Sequence, residues 1–188
     1  MRWRYTDGDI FHGLILDYLV TEDGNRLSDK EKTRNRPEFG ETFSYVGGSM
    51  RETIDLSTSQ REELVDITPM VADVVHRSGI HDGLVSVYAQ GATAAIMIQE
   101  NWDESVQTDV VNLLRKMIPR GVWLHDRQDG NGDSHLKAGL VGPSESIPLI
   151  GGRLGLSRWQ NIFLCEFDGP RHKRQVVVTV LNASGTVP

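Results

Sequence analysis

Residues 83–100, GLVSVYAQGATAAIMIQE, lead straight into residues 101–119, NWDESVQTDVVNLLRKMIP, and the change of period between the two decides the fold. In the first stretch Val85 and Val87 alternate with Ser86 and Tyr88, and the break at Gln90-Gly91-Ala92 divides it into two strands, Gly83 to Ala89 and Thr93 to Glu100. In the second, Asp103 stands where an N-cap is wanted, Val106, Val110, Leu113, Leu114 and Met117 recur at helical spacing, and Pro119 ends the run. Upstream, Thr68 as N-cap, Pro69 at the first helical position, the apolar Val71, Ala72, Val74 and Val75, and a stop at Gly79 predict another helix, preceded by a strand over Glu52 to Ser57. Downstream, a short strand Val122 to Leu124 feeds a polar loop over 125–135, a helical piece runs from Ser134 to Leu140, and strands fit Ser146–Ile150, Asn161–Phe167 and Gln175–Leu181. Gly151-Gly152-Arg153-Leu154-Gly155 lacks the later glycine of a dinucleotide fingerprint and reads as a hairpin turn. Strands and helices in this succession make the class α+β.

The chain has 188 residues, a formal charge of -6 and one cysteine, which suits one domain rather than two. Residues 1–48 form a variable, partly disordered N-terminal extension in this reading, because eleven of the twenty-one positions from Thr21 to Glu41 are charged and such a stretch cannot bury a core. The compact domain is expected over 49–188, with Met50 as a sensible start for it. No apolar stretch reaches the ~18 residues of a membrane span, and no secretory leader opens the sequence, so a cytoplasmic protein without a membrane partner is expected. Lone Cys165 lies in the apolar run Ile162-Phe163-Leu164-Cys165, where a buried thiol is the ordinary reading. Net acidity argues against a nucleic-acid partner, although the basic cluster Arg171-His172-Lys173-Arg174 suits small anions.

The segment His125-Asp126-Arg127-Gln128-Asp129-Gly130-Asn131-Gly132-Asp133-Ser134-His135 holds two imidazoles and three carboxylates within eleven residues. These are ligand types that divalent zinc, iron, nickel or manganese accept, and the glycines let the backbone curl. A solvated turn accounts for the same composition equally well, since Asp-Gly and Asn-Gly are favoured wherever positive φ is needed. A calcium EF-hand fails on register: counting from Asp129, the sixth position is Ser134 rather than Gly and the twelfth is Leu140 rather than Glu. Thr93, Glu100, Trp159 and Gln160 are further polar or aromatic groups at strand ends. Glu100 suits a metal ligand or general base, and equally the capping of the helix that follows. In Glu166-Phe167-Asp168-Gly169-Pro170-Arg171 a tight turn sets an arginine where its fork could grip phosphate, with a surface ion pair as the plain alternative.

The ordered series Gly91-Ala92-Thr93-Ala94-Ala95-Ile96, Glu100-Asn101, His125-Asp126, Asp129-Gly130-Asn131-Gly132, His135-Leu136, Gly142-Pro143-Ser144, Gly152-Arg153-Leu154, Trp159-Gln160 and Glu166 to Arg171 resembles the YjbQ family, also called UPF0047. The likeness covers about residues 52–181. It implies an α+β homotrimer of antiparallel sheets with two main helices, and a metal-associated pocket around His125 and His135. It further implies a secondary thiamine-phosphate synthase activity, a transferase reaction joining a hydroxymethylpyrimidine diphosphate to a thiazole phosphate. In that reading His125, His135 and Glu100 hold a divalent ion, zinc or similar. Asp126, Asn131, Gln160 and Glu166 form the catalytic surroundings, and Thr93, Trp159 and Arg171 contact a small phosphorylated substrate. Many members carry His-Thr-Ser/Thr-Ala where this chain has Gly91-Ala92-Thr93-Ala94, so one family histidine is replaced, and Glu100 or water would complete the coordination. The competing expectation is a non-catalytic trimer that sequesters a metal or a phosphorylated metabolite.

Overall fold

A computed structural model describes residues 44–46 and 48–183. The extension expected over 1–48 therefore lies outside the described residues, apart from its last few positions.

The described elements follow in the order β1 (Ser44–Val46), β2 (Ser49–Thr58), β3 (Glu63–Asp66), α1 (Thr68–Ser78), β4 (Gly83–Ala89), β5 (Ala94–Glu100), α2 (Glu104–Met117), α3 (Gly132–Val141), β6 (Ser144–Ile150), β7 (Arg153–Leu154), β8 (Gln160–Glu166) and β9 (Arg171–Asn182). Two sheets form, one in the order β1-β2-β9-β4-β6-β7 and a smaller one in the order β3-β8-β5. Every pairing is antiparallel. Because β1 pairs with β2, the large sheet begins before the expected domain boundary at residue 48.

The two sheets share one core. Val85 and Val87 of β4, Val176, Val178 and Val180 of β9, and Ile147 and Leu149 of β6 meet Ala94 and Ile96 of β5 and Ile162 and Leu164 of β8, with Val71, Val74 and Val75 of α1 packed among them. Each fully buried valine or leucine there contributes about 1.5–3 kcal/mol. Successive side chains of a strand point to opposite faces, so Cys165, with Phe167 just beyond the strand, turns away from that core and packs on Leu114 of α2 and Ala138 of α3. That explains why 162–165 is apolar without alternation: β8 is covered on both faces. Gly83 is required by contact rather than by its turn, since a Cβ there would lie 1.8 Å from the Leu181 carbonyl oxygen.

The helix ends show where local signals held. Asp103 caps α2 by accepting from the Ser105 N–H at 2.8 Å, and Gly79 closes α1 in the left-handed conformation at φ 65. Thr68 is not the α1 cap. It is the first helical residue, its N–H donates to Asp66 at 2.9 Å, and its hydroxyl accepts from the Ile162 N–H at 2.8 Å. No strand forms at 122–124. Leu124–Arg127 is instead a 3-10 turn, because the Asp126 carboxylate draws the Trp123 N–H back to it at 2.8 Å. Among the described residues, no helix is long and apolar enough to cross a membrane.

Candidate functional site

The 125–135 segment folds back on itself so that the His125 and His135 rings stand edge to face, with centroids 4.9 Å apart and planes at 89°. Asp126 makes this approach possible. Its two carboxylate oxygens accept from the Trp123 N–H and the Gly132 N–H, each at 2.8 Å, tying the 3-10 turn to the first residue of α3. The Trp123 N–H, helped by that of Gly132, holds the Asp126 carboxyl below the ordinary aspartate range. Glycine at 132 is a steric necessity: a Cβ would stand 2.9 Å from Trp123 Cβ and 3.0 Å from Asp126 Oδ1.

Two atoms of this segment are left over. His125 Nε2 and Asn131 Oδ1 are buried and have no hydrogen-bond partner, and the nearest carboxylate to His125, that of Asp129, stands 3.7 Å away. Asn131 Oδ1 offers a lone pair, as does His125 Nε2 when its ring proton sits on Nδ1, so a cation or a hydrogen-bond donor would satisfy both. Among the described residues, no three His, Cys, Asp or Glu side chains converge as a metal-binding group.

Beside the histidines runs a polar chain. Asn131 Nδ2 donates to Asp168 at 3.0 Å, and Arg171 Nη2 donates to the same carboxylate oxygen at 2.5 Å, which leaves the half-exposed guanidinium standing at the surface. The Ser134 hydroxyl donates to the Phe167 carbonyl at 2.6 Å, fixing α3 to the end of β8. Glu166 is fully buried and accepts from four donors: Arg174 Nε at 2.7 Å, Arg174 Nη2 at 2.5 Å, Thr58 Oγ1 at 3.0 Å and the Asp168 N–H at 2.8 Å. A carboxylate engaged this fully acts as an anchor. What it anchors is Arg174, whose Nη2 also donates to Thr93 Oγ1 at 2.9 Å. Gly91 lies beside this arginine: a Cβ there would come within 3.1 Å of Arg174 Nη1.

Glu100, Trp159 and Gln160 gather elsewhere. Glu100 pairs with Gln160 at one end of the small sheet, whereas Ala94 pairs with Glu166 at the other. Six residues of strand separate the two ends by about 20 Å. Trp159 stacks edge-on with Trp102 at 4.6 Å between centroids and carries Arg158 over its ring at 4.4 Å, while Gln160 closes a turn by accepting from the Ser157 N–H. Glu100 does not cap α2, a role held by Asp103, and its carboxylate makes no hydrogen bond among the described residues.

Sequence reading passed over Lys137 and took Arg174 only as part of an exposed basic cluster. Both enter buried ion pairs, Arg174 with Glu166 and Lys137 with Glu62 and Asp133. Strand alternation, which turns Arg174 inward when Arg171 and Lys173 face out, and the Asp133/Lys137 spacing of four on a helix were the available signals.

Two antiparallel sheets with helices against them, and a histidine of a 3-10 turn set against one of α3, define an α+β protein. The model for the "UPF0047 protein YjbQ-like" family matches residues 52–183, and the chain belongs to that family. It is 42% identical over 126 residues to a UPF0047 protein of Methanocaldococcus jannaschii, covering 67% of this chain and 90% of that one. Against the UPF0047 protein YugU of Bacillus subtilis the identity is 37% over 125 residues, or 65% and 92% of the two chains. A crystal structure from Sulfolobus solfataricus P2, described as YbjQ-like and of unknown function, superposes with a TM-score of 0.69 at 35% identity, covering 71% of this chain and 97% of that one. A YjbQ/UPF0047 structure from Clostridium acetobutylicum gives 0.65 at 39% identity, with 69% and 98% covered.

Proposed function

We propose that this chain is a cytoplasmic, homotrimeric enzyme in which His125 and His135 hold a divalent cation, zinc or a similar ion, beside a small phosphorylated substrate. The observation that carries the reading is the buried, unpartnered Nε2 of His125 set against the His135 ring. Bound there, the ion would supply positive charge to a phosphoryl oxygen and to an anionic leaving group. Asp126 holds the loop that presents both imidazoles, and Asn131 links that loop to Asp168. Arg171, steadied by Asp168, offers its remaining donors to phosphate, in the bidentate manner that suits a guanidinium. Thr93 reaches the same neighbourhood through Arg174. Glu166 serves by fixing that arginine, not as a base. If Glu100 completes the coordination, it must come from a second chain, because within one chain it lies at the far end of the small sheet. Trp159 and Gln160 would reach the site in the same way. Exposed Leu113, Met117, Val122 and Leu124, with Leu136 and Leu140, supply apolar surface for such an assembly.

The reaction we assign is thiamine-phosphate synthesis: the thiazole nitrogen forms a bond to the pyrimidine methylene carbon as the bond to diphosphate breaks, and pyrophosphate leaves. A non-catalytic trimer that binds metal or a phosphorylated metabolite is favoured by one observation, the full engagement of Glu166, which leaves no free base there. Incubating the protein with both phosphorylated precursors, with and without a chelator, separates the two readings. Chelator-sensitive thiamine phosphate formation is expected; binding without turnover would favour sequestration. Metal content is the second readout. His125→Ala and His135→Ala should each lose the bound ion, and wild-type metal content in both variants would end the ligation model.

A further inference from the structure

We propose a second anion site in this protein, a small oxyanion cavity on the face of α3 opposite His135, that takes phosphate or a phosphomonoester. The cavity has a volume of ≈ 230 Å³ and is lined by Arg61, Glu62, Arg115, Arg120, Asp133 and Lys137. On a helix, positions 133 and 137 share a face while 135 points about 160–200° away from them, so this cavity and the histidine pair are separate. The inference does not depend on the function proposed for the histidines.

The charge count carries the argument. Four cations face two carboxylates, an excess of two positive charges in a chain whose total is -6. Both carboxylates are ionised and engaged. Lys137, itself 1% exposed, donates to Glu62 at 2.5 Å and to Asp133 at 2.7 Å, Arg61 grips Asp133 through both Nη atoms at 3.2 and 3.0 Å, and Arg115 Nε contacts the other oxygen of Glu62. Burial alone would push the Glu62 and Asp133 carboxyls up; their cationic partners overcome this and hold both below the ordinary range. Asp168, the other acid acting on Arg61, is already paired with Arg171.

Donors therefore remain after the internal pairs are made. Among the described residues, Arg115 uses only its Nε, Arg120 only its Nε on the Gly130 carbonyl at 3.4 Å, and Lys137 two of its three ammonium protons. Three cationic groups with unused N–H donors around one small cavity match an oxyanion's several acceptor oxygens. The volume lies below the ~300–1,000 Å³ of sites for drug-sized ligands, which limits the occupant to a phosphate-sized group or the phosphate end of a small ester.

The test is calorimetric titration of the full chain with inorganic phosphate and, in parallel, glycerol phosphate, at constant ionic strength and in the presence of chelator so that the histidine pair is not involved. Saturable binding is expected, at least tenfold weaker in Arg115→Gln/Arg120→Gln. Whichever ligand binds more tightly identifies the source of the phosphate. Should the double variant not fold, Arg120→Gln alone takes its place, since among the described residues that side chain hydrogen-bonds only to the Gly130 carbonyl; a several-fold loss is then expected. Absence of saturable binding of either ligand, wild-type affinity in the arginine variants, or loss of the binding in Arg171→Gln instead would each overturn the proposal.

Discussion

Replacing Lys137 by methionine keeps an unbranched side chain of nearly the same length and removes the ammonium, which isolates that group's part in the stability of the domain. Among the described residues this group is the one cation that hydrogen-bonds both Glu62 and Asp133, whose side chains are 5% and 0% exposed. Removing one partner from a buried ion pair costs about 3–5 kcal/mol, because the other charge stays buried. Here each carboxylate keeps a guanidinium partner, Arg115 on Glu62 with Arg61 at 3.7 Å, and Arg61 on Asp133, and these are more exposed than the lysine. The expected loss is accordingly at the lower end, about 3 kcal/mol. Urea unfolding at pH 7, followed by circular dichroism, reads it directly. The pH dependence adds a second, independent check. Both carboxyls are held below their ordinary values of 4.5 and 3.8, so their stabilisation is complete above those values and is lost as pH falls through the lower native ones. The gap between wild type and Lys137→Met should be full at pH 7 and narrow below about pH 4.5. A difference under about 1 kcal/mol at neutral pH, or a gap that widens on acidification, would refute the electrostatic account.

Two further outcomes follow from single contacts. Burial pushes the Cys165 thiol up to about 12, so Ellman's reagent at pH 8 should label the protein only after unfolding; stoichiometric labelling of the native protein would show that the small sheet opens readily. Asp126→Ala removes the acceptor shared by the Trp123 and Gly132 N–H groups, so hydrogen exchange at both amides should quicken and bound metal should fall while the cooperative unfolding midpoint barely moves. Unchanged exchange at those amides would show that the turn holds without the carboxylate.

The elements that sequence could show are those whose period is set by one buried face. α2 displays a single apolar stripe and β4 a clean alternation, and both formed close to the expected bounds. β3 escaped because all four of its residues are half-buried, which leaves no alternation to detect. At 122–124 the apolar Val122, Trp123 and Leu124 suggested a strand, but the hydrogen bond from Trp123 to Asp126 is a local competitor that a propensity argument does not weigh. The same bond is why the histidine pair was legible as composition but not as geometry. The rings are ten positions apart in the chain, and their approach depends on one carboxylate bridging the turn to the helix.

The two faces of α3 then bear on one another. His135 can stand against His125 only if Gly132, Asp133 and Ser134 begin a helix at a fixed height on the small sheet, and three different attachments set that height. Asp126 holds Gly132, Arg61 holds Asp133, and the Phe167 carbonyl holds Ser134. Buried ion pairs add little net stability compared with apolar packing, but they discriminate strongly against misplaced arrangements, since a shift that separates Asp133 from Arg61 and Lys137 from Glu62 strands buried charge. The charged cluster on one face of α3 thereby restricts where the imidazole on the other can stand. An oxyanion bound against Arg115 and Arg120 would act on that same cluster, so occupancy of the cavity and affinity at the histidines should be linked, each changing the other by the same factor.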